Sequence, residues 1–163
     1  MTRDMAQRLE QLGITLPAPG APAGSYVPFL IAGDVVYLSG QTTRVDGNMQ
    51  HVGKVGRELT VEQGRSAARV CGLNLLAQLN VACEGDLDRV ARCVRLTGYV
   101  NCAPDFGEQA RVINGASDLM IEVFGERGKH VRTAVGVASL PQGSATEVEA
   151  IFLLHARNQK PGS

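Results

Sequence analysis

The chain has no tryptophan, few aromatic residues and no excess of charge of either sign. Aromatic residues make up 4% of the 163 residues, and 16 basic residues balance 16 acidic ones. Proteins that bind nucleic acids usually present a basic surface, and those that bind single strands add aromatic stacking platforms. Because both features are missing, the composition argues against a nucleic-acid partner.

The chain also lacks a long apolar run and closely spaced cysteines. No stretch approaches the ~18 apolar residues of a membrane span, and the charged N-terminus has no apolar signal region. We therefore predict a cytoplasmic protein with no membrane partner. The cysteines at 71, 83, 93 and 102 contain no CxxC pair, which argues against a zinc or redox motif. We expect buried, reduced thiols, no metal and no cofactor.

What is present is an ordinary globular composition, with 44% hydrophobic and 20% charged residues. A chain of this length suits one domain with a sizeable core. The single domain over 1–163 has an N-terminal helix and extended connection over 1–25, a core over 26–156 and a polar tail over 157–163.

Hydrophobic periodicity predicts strands and two main helices. Two strand-like runs flank the turn Gly33-Asp34 and predict a β-hairpin. Thr60 and Gln63 form a capping box at the start of a helix that ends near residue 80. The other predicted elements are a helix over 2–12 that starts at Thr2 or Asp4 and stops at Gly13, a short strand near 44–45 or 52–55, a strand over 91–100, a helix from Pro104 or Asp105 to 125–128, and strands over 131–139 and 145–154. This order predicts an α+β domain with helices on one face of a mixed sheet.

Three charged residues in the last two strands are the sharpest candidates for chemistry: Arg132, Glu147 and Glu149. A charge in an otherwise apolar strand is costly to bury unless it is paired. A guanidinium binds a carboxylate with two hydrogen bonds, and the small residues that share its strand face leave room for a ligand. A structural ion pair or an interface explains Arg132 equally well.

A carboxylate among apolar neighbours favours its neutral form, which suits acid–base chemistry. Glu147 is therefore a candidate catalyst or a solvated strand end, and Glu149 is expected to have a pairing or solvated role. If the last two strands form a hairpin with each other, Arg132 lies opposite residue 152, and Glu147 is roughly 16 Å further along. The two charges would not meet in one chain, which suggests an oligomer.

Other polar residues are weaker candidates. Ser39 and Gly40 end the second strand, where a hydroxyl and an unhindered backbone could meet a ligand, although a turn is the alternative. His51, His130 and His155 are isolated in the sequence, and we expect surface or structural roles for them. The chain has no GxSxG, P-loop or GxGxxG motif.

An ordered set of short motifs resembles one family. The set is Ser39-Gly40-Gln41, LTVEQ from Leu59, LDRV from Leu87, Asp105-Phe106, Arg132, Leu140-Pro141 and EVEA from Glu147. From Tyr26 to Phe152 the chain resembles the Rid (YjgF-like, RidA) family of reactive-intermediate imine deaminases. The N-terminal helix and the loop after Gln41 look like additions, which suggests a longer subgroup.

This resemblance implies a chorismate-mutase-like fold, a homotrimer with sites between subunits, and no cofactor. It implies hydrolysis of 2-imino or 2-enamino acids to 2-keto acids and ammonia. By the family pattern, Arg132 binds the substrate carboxylate and Glu147 handles water and protons. Tyr26, Ser39 and Gly40 match further substrate-binding positions.

Two positions depart from the family pattern. The helix asparagine of the family aligns best with Ser117, and the position two residues after the arginine, often cysteine, is Ala134, whose backbone carbonyl could still hold water. By the family pattern, both remain candidate substrate-binding residues. The resemblance thus implies an intact anion site in altered surroundings. The alternatives are a non-catalytic trimer that binds small carboxylates or proteins and, less favoured, a ribonuclease, which a neutral chain with no evident histidine pair serves poorly.

Overall fold

The computed structural model describes residues 4–156, and the predicted tail over 157–163 and Thr2 lie outside them. The helices are α1 (Asp4–Gln11), α2 (Val61–Ala82) and α3 (Gln109–Phe124). The strands are β1 (Phe29–Ala32), β2 (Val35–Gln41), β3 (Arg44–Val45), β4 (Asn48–Met49), β5 (Val90–Asn101), β6 (Val131–Val137) and β7 (Thr146–Leu154). The main sheet has the order β1-β2-β7-β5-β6, and β3 pairs with β4 in a separate hairpin. The predicted mixed α+β fold is confirmed.

Local sequence signals account for several element ends. The Thr60 hydroxyl accepts a hydrogen bond from the Gln63 N–H at 3.2 Å, and the Gln63 side chain accepts one from the Thr60 N–H at 2.9 Å. This reciprocal pair satisfies N–H groups that the first turn of α2 leaves free. Gly13 follows α1 and Gly33 forms the β1–β2 turn, both with a positive φ that glycine adopts without strain. The predicted capping box, helix stop and hairpin are confirmed.

The helices α2 and α3 cover one face of the sheet and approach each other closely. A Cβ at Gly115 of α3 would collide with the backbone carbonyl of Arg65 in α2, so glycine is required where the two backbones meet. Below them, Leu96 of β5 and Phe152 of β7 are fully buried. The Phe152 ring lies 6.0 Å from the Phe124 ring. Two helices over one face of the sheet therefore enclose the core, as predicted.

The four cysteines are buried and unpaired, which confirms the prediction of reduced thiols. Burial raises the pKa of the Cys71 thiol to about 12, so the thiolate is disfavoured. None of the described helices is long and apolar enough to cross a membrane.

The last two strands do not form the hairpin with each other that was considered above. Strand β6 pairs in parallel with one edge of β5, and β7 pairs antiparallel with the other edge. Parallel neighbours require a crossover connection, which α3 supplies between β5 and β6. Strand β7 then fills the position between β5 and β2.

The predicted start of the second main helix, α3, at Pro104 or Asp105 is wrong, because α3 begins at Gln109. The Phe106 N–H donates to the Ala103 carbonyl at 3.0 Å, which closes a turn instead of a helix. The Gln109 side chain then donates to the Phe106 carbonyl at 2.8 Å. Local side-chain bonding of this kind competes with helix initiation.

Candidate functional site

A cavity of about 310 Å³ brings together Glu147, Gly40 and Tyr26, three of the predicted site residues. Gly40 lies where the register of β2 shifts against β7, between Leu38 and Gln41. A Cβ at Gly40 would collide with Glu147 Oε1 and would lie 3.1 Å from its Cδ. Only glycine therefore leaves the carboxylate in its present position.

Glu147 is half-buried on the face of β7 that points away from the helices. Burial raises the pKa of its carboxyl group, and the nearby charge of Glu149 raises it further. A carboxyl group with a raised pKa exchanges protons closer to neutral pH. Glu149 itself accepts a hydrogen bond from the Tyr99 hydroxyl at 3.4 Å, in line with its predicted pairing role.

Residues that precede and follow the first two strands cover this cavity. Residues 18–23 of the N-terminal connection line it, as does the β3–β4 hairpin. Gln78 of α2 donates to the Gly20 carbonyl at 2.7 Å, and the Tyr26 hydroxyl accepts from a backbone N–H of the same connection at 3.3 Å. From the hairpin, Arg44 donates to the Gln142 side chain across the rim. The loop after Gln41 and the connection that follows the N-terminal helix thus form part of the site, while α1 itself does not line the cavity.

Arg132 lies elsewhere, on β6, with its side chain directed toward α3. Its Nη1 donates to Asn114 Oδ1 at 2.8 Å and to Ser117 Oγ at 3.1 Å, and its Nη2 donates to the Ala110 carbonyl at 3.3 Å. These bonds use three of the five guanidinium N–H groups. No ion pair joins Arg132 to an acidic residue within 4–156, which removes the explanation by an ion pair inside that part of the chain.

Behind Arg132, Ser117 and His130 form a second contact. Ser117 Oγ lies 2.9 Å from His130 Nε2, and His130 Nδ1 lies 2.7 Å from the Gly128 carbonyl oxygen. Burial lowers the pKa of His130, and the charge of Arg132 also lowers it, while the hydrogen bond to Gly128 acts in the opposite direction.

Asn114 is a site residue that the sequence reasoning missed. It lies three residues before Ser117, and such residues share one helix face. Once Ser117 is placed near Arg132, helical spacing alone points to Asn114. Both side chains contact the guanidinium.

Two predicted site residues lie outside both clusters. The Ser39 hydroxyl donates to the Val27 carbonyl at 2.7 Å, and Ser39 is not among the described residues that line the cavity. Ala134 pairs with Gly98 of β5 and packs half-buried against the core. Neither residue connects Arg132 with Glu147.

The profile of the family described as "YjgF/chorismate mutase-like, putative endoribonuclease" matches residues 6–153. The chain belongs to this family. It is similar to protein TCP17 of Trypanosoma cruzi, with 48% identity over 152 residues that cover 93% of this chain and 94% of TCP17. It is also similar to Atu1372, a protein of unknown function from Agrobacterium tumefaciens, with 43% identity, a TM-score of 0.87 and 94% of each chain covered.

The YjgF-family chain also resembles a shorter protein, TdcF of Escherichia coli, solved with bound serine. The TM-score is 0.60 at 25% identity, and the match covers 87% of this chain and 97% of TdcF. The resemblance to the Rid (YjgF-like) family and its chorismate-mutase-like fold is confirmed. The larger unmatched share of this chain agrees with a longer subgroup.

In this YjgF-family fold, Arg132 and Glu147 do not meet within one chain. Arg132 is level with Leu96 and Glu147 with Tyr99 on the intervening strand β5. Strand spacing and rise place the two Cα atoms about 14 Å apart, and the side chains leave opposite faces of the sheet. The predicted lack of a direct contact is confirmed, although the hairpin from which it was inferred is wrong.

The chain offers no evident metal ligands among residues 4–156, where no group of three His, Cys, Asp or Glu side chains is placed to hold an ion. Acid–base chemistry at Glu147 and anion binding at Arg132 are the two capacities of the site. The absence of a cofactor stays a prediction.

Proposed function

We propose that the protein is an imine deaminase that hydrolyses 2-imino and 2-enamino acids to 2-keto acids and ammonia. The observation that carries the proposal is the position of Glu147 in the wall of a cavity, where its half-buried carboxyl group has a raised pKa. The carboxylate fits there because Gly40 has no side chain. Membership of the YjgF family supports it. TdcF, solved with bound serine, shows that a relative holds a ligand with an α-carboxylate.

In the proposed reaction, the chain supplies an anchor and a base. Arg132 binds the substrate carboxylate through its two remaining N–H groups. Glu147 orients a water molecule and takes its proton as the oxygen attacks the C=N carbon. That proton passes to the nitrogen and gives a carbinolamine. Glu147 then transfers the hydroxyl proton of this intermediate to the nitrogen as the C–N bond breaks, so that ammonia leaves and a 2-keto acid remains. Each turnover consumes one water and needs no oxidant or reductant.

We further propose that the site forms between copies of the chain in a homotrimer. Arg132 and Glu147 leave opposite faces of the sheet, so one substrate can meet both only if they come from different copies. The face that carries Glu147 also exposes large apolar side chains, including Tyr37 at 46% and Val135 at 42%. An apolar sheet face of this kind favours association.

The direct test is hydrolysis of 2-iminopropanoate, generated in place by a pyridoxal-phosphate dehydratase. We expect the wild-type protein to accelerate pyruvate formation and the Arg132→Ala variant to lose that acceleration. Arg132→Lys keeps the charge but not the planar fork, so we expect partial activity with a raised KM. A wild-type protein that binds pyruvate without accelerating hydrolysis would instead support the non-catalytic binding module.

Mixed assemblies test the arrangement between copies. Arg132→Ala and Glu147→Gln are each expected to be inactive alone. If each site takes Arg132 from one copy and Glu147 from the next, co-refolding equal amounts restores both residues in about a quarter of the sites. No recovered activity in mixed trimers, confirmed by mass spectrometry of the intact assembly, would exclude a shared site.

A further inference from the structure

Ser117 and His130 form a chain of hydrogen bonds that ends on Arg132. The Gly128 carbonyl contacts His130 Nδ1, His130 Nε2 contacts Ser117 Oγ, and Ser117 Oγ receives a hydrogen bond from Arg132 Nη1. Ser117 is 8% exposed. None of these three contacts is explained by the proposed chemistry at Glu147.

The donors and acceptors in this series of hydrogen bonds can be assigned. A carbonyl oxygen can only accept, so the hydrogen of a neutral imidazole is on His130 Nδ1. The Nε2 atom then has a lone pair and accepts the hydroxyl hydrogen of Ser117. With its hydrogen drawn toward His130, Ser117 turns its oxygen lone pairs toward the Arg132 guanidinium.

A backbone contact fixes the position of Gly128, whose carbonyl oxygen accepts from His130. A Cβ at Gly128 would collide with the Met120 carbonyl oxygen and would lie 2.6 Å from the Met120 carbonyl carbon. Gly128 therefore packs directly on the backbone of α3, the helix that also carries Ser117. The acceptor for His130 and the hydroxyl that His130 orients are held by the same rigid element.

We propose that Ser117 and His130 are positioning residues that orient Arg132 for its carboxylate. Together with Asn114 they occupy both N–H groups of Nη1, and the Ala110 carbonyl takes one N–H of Nη2, which leaves the Nε–H and one Nη2–H for a carboxylate. Without His130, the Ser117 hydroxyl can rotate and point its hydrogen at the cation. The inference rests on the proposed role of Arg132 as the carboxylate anchor.

The first test is the tautomer of His130, which needs neither ligand nor activity. A long-range ¹H–¹⁵N correlation spectrum near pH 7.5 distinguishes the Nδ1–H from the Nε2–H form, and the signal lost in His130→Gln identifies the residue. We expect the Nδ1–H form. An Nε2–H form would reverse the direction of the bonds and overturn the proposal.

The second test is calorimetric titration of the assembled protein with pyruvate, the simplest keto-acid product. We expect His130→Leu to weaken binding about tenfold and His130→Gln to stay within about twofold of wild type, because its side-chain oxygen accepts from Ser117. Ser117→Ala should match His130→Leu, and the double variant should lose no more than either alone. The exposed His155→Gln is the matched control.

The outcomes separate this proposal from the proposed function. If the wild-type protein hydrolyses the imine and His130→Leu has an unchanged KM and pyruvate affinity, the positioning role fails while the deaminase role stands. If the wild-type protein binds pyruvate in a His130-dependent way without hydrolysis, the deaminase role fails while the positioning role stands.

Discussion

Replacing Gly40 by alanine should move the carboxylate of Glu147, the proposed catalytic base, while leaving the stability of the fold almost unchanged. The added Cβ would collide with Glu147 Oε1, the far end of a flexible side chain. Ordinary van der Waals distances require the oxygen to move by about 1 Å. Because a side chain and no backbone must move, we expect the free energy of unfolding to change by no more than about 1 kcal/mol.

The same displacement should be costly for catalysis. A misplacement of about 1 Å can cost roughly 100-fold in rate, which corresponds to about 2.7 kcal/mol of transition-state stabilisation. We expect kcat for 2-iminopropanoate to fall by about that factor. The KM should change little, since Arg132 and its contacts are on another strand.

The matched control is Gly107→Ala. Gly107 lies in the irregular segment before α3 and has open space where its Cβ would be, so the substitution should leave kcat unchanged. Urea unfolding of all three proteins accompanies the coupled dehydratase assay. A Gly40→Ala variant with the kcat of Gly107→Ala would refute the placement of Glu147 at the reacting water, and a large loss of stability would refute the expected side-chain movement.

Two further predictions concern stability. Burial raises the folded-state pKa of Glu147. The stability linked to its protonated form is therefore complete below the unfolded carboxyl pKa of about 4.3 and is lost as pH rises through the folded value. In urea unfolding, Glu147→Gln should gain stability relative to wild type between pH 4 and pH 7, and a pH-independent difference would contradict this. Gly115→Ala places a Cβ against the Arg65 carbonyl and should cost about 2 kcal/mol, or roughly 4–8 °C in Tm, and a Tm equal to that of Gly107→Ala would show that the helices can separate freely.

The elements of the fold were predictable because their signals are local. The capping box at Thr60 marks the start of α2, and alternation along β7 places Glu147 on the face away from the core. Strand order was not predictable in this way. A hairpin of the last two strands and two strands on either side of β5 have the same local pattern, and only long-range pairing distinguishes them.

The residues of the candidate site were likewise predictable only in part. Charges in apolar strands identified Arg132 and Glu147 from the sequence. Part of the cavity wall around Glu147 comes from segments without a periodic signal, such as residues 18–23, which line the cavity through backbone and small side chains. Asn114 was missed because its role depends on how α3 lies over β6, and periodicity cannot supply that arrangement.

The topology of the sheet keeps the two charges available for a substrate. If Arg132 and Glu147 faced each other across one hairpin, the cation would lower the pKa of the carboxyl group and occupy itself with an ion pair. Glu147 would then be a weaker base, and the two free N–H groups of Arg132 would already have a partner. The crossover through α3 places β5 between the two residues. The pKa of Glu147 is therefore raised instead of lowered, and two N–H groups of the Arg132 guanidinium have no ion-pair partner among residues 4–156. In the proposed site between copies, a substrate instead of the protein would join the two.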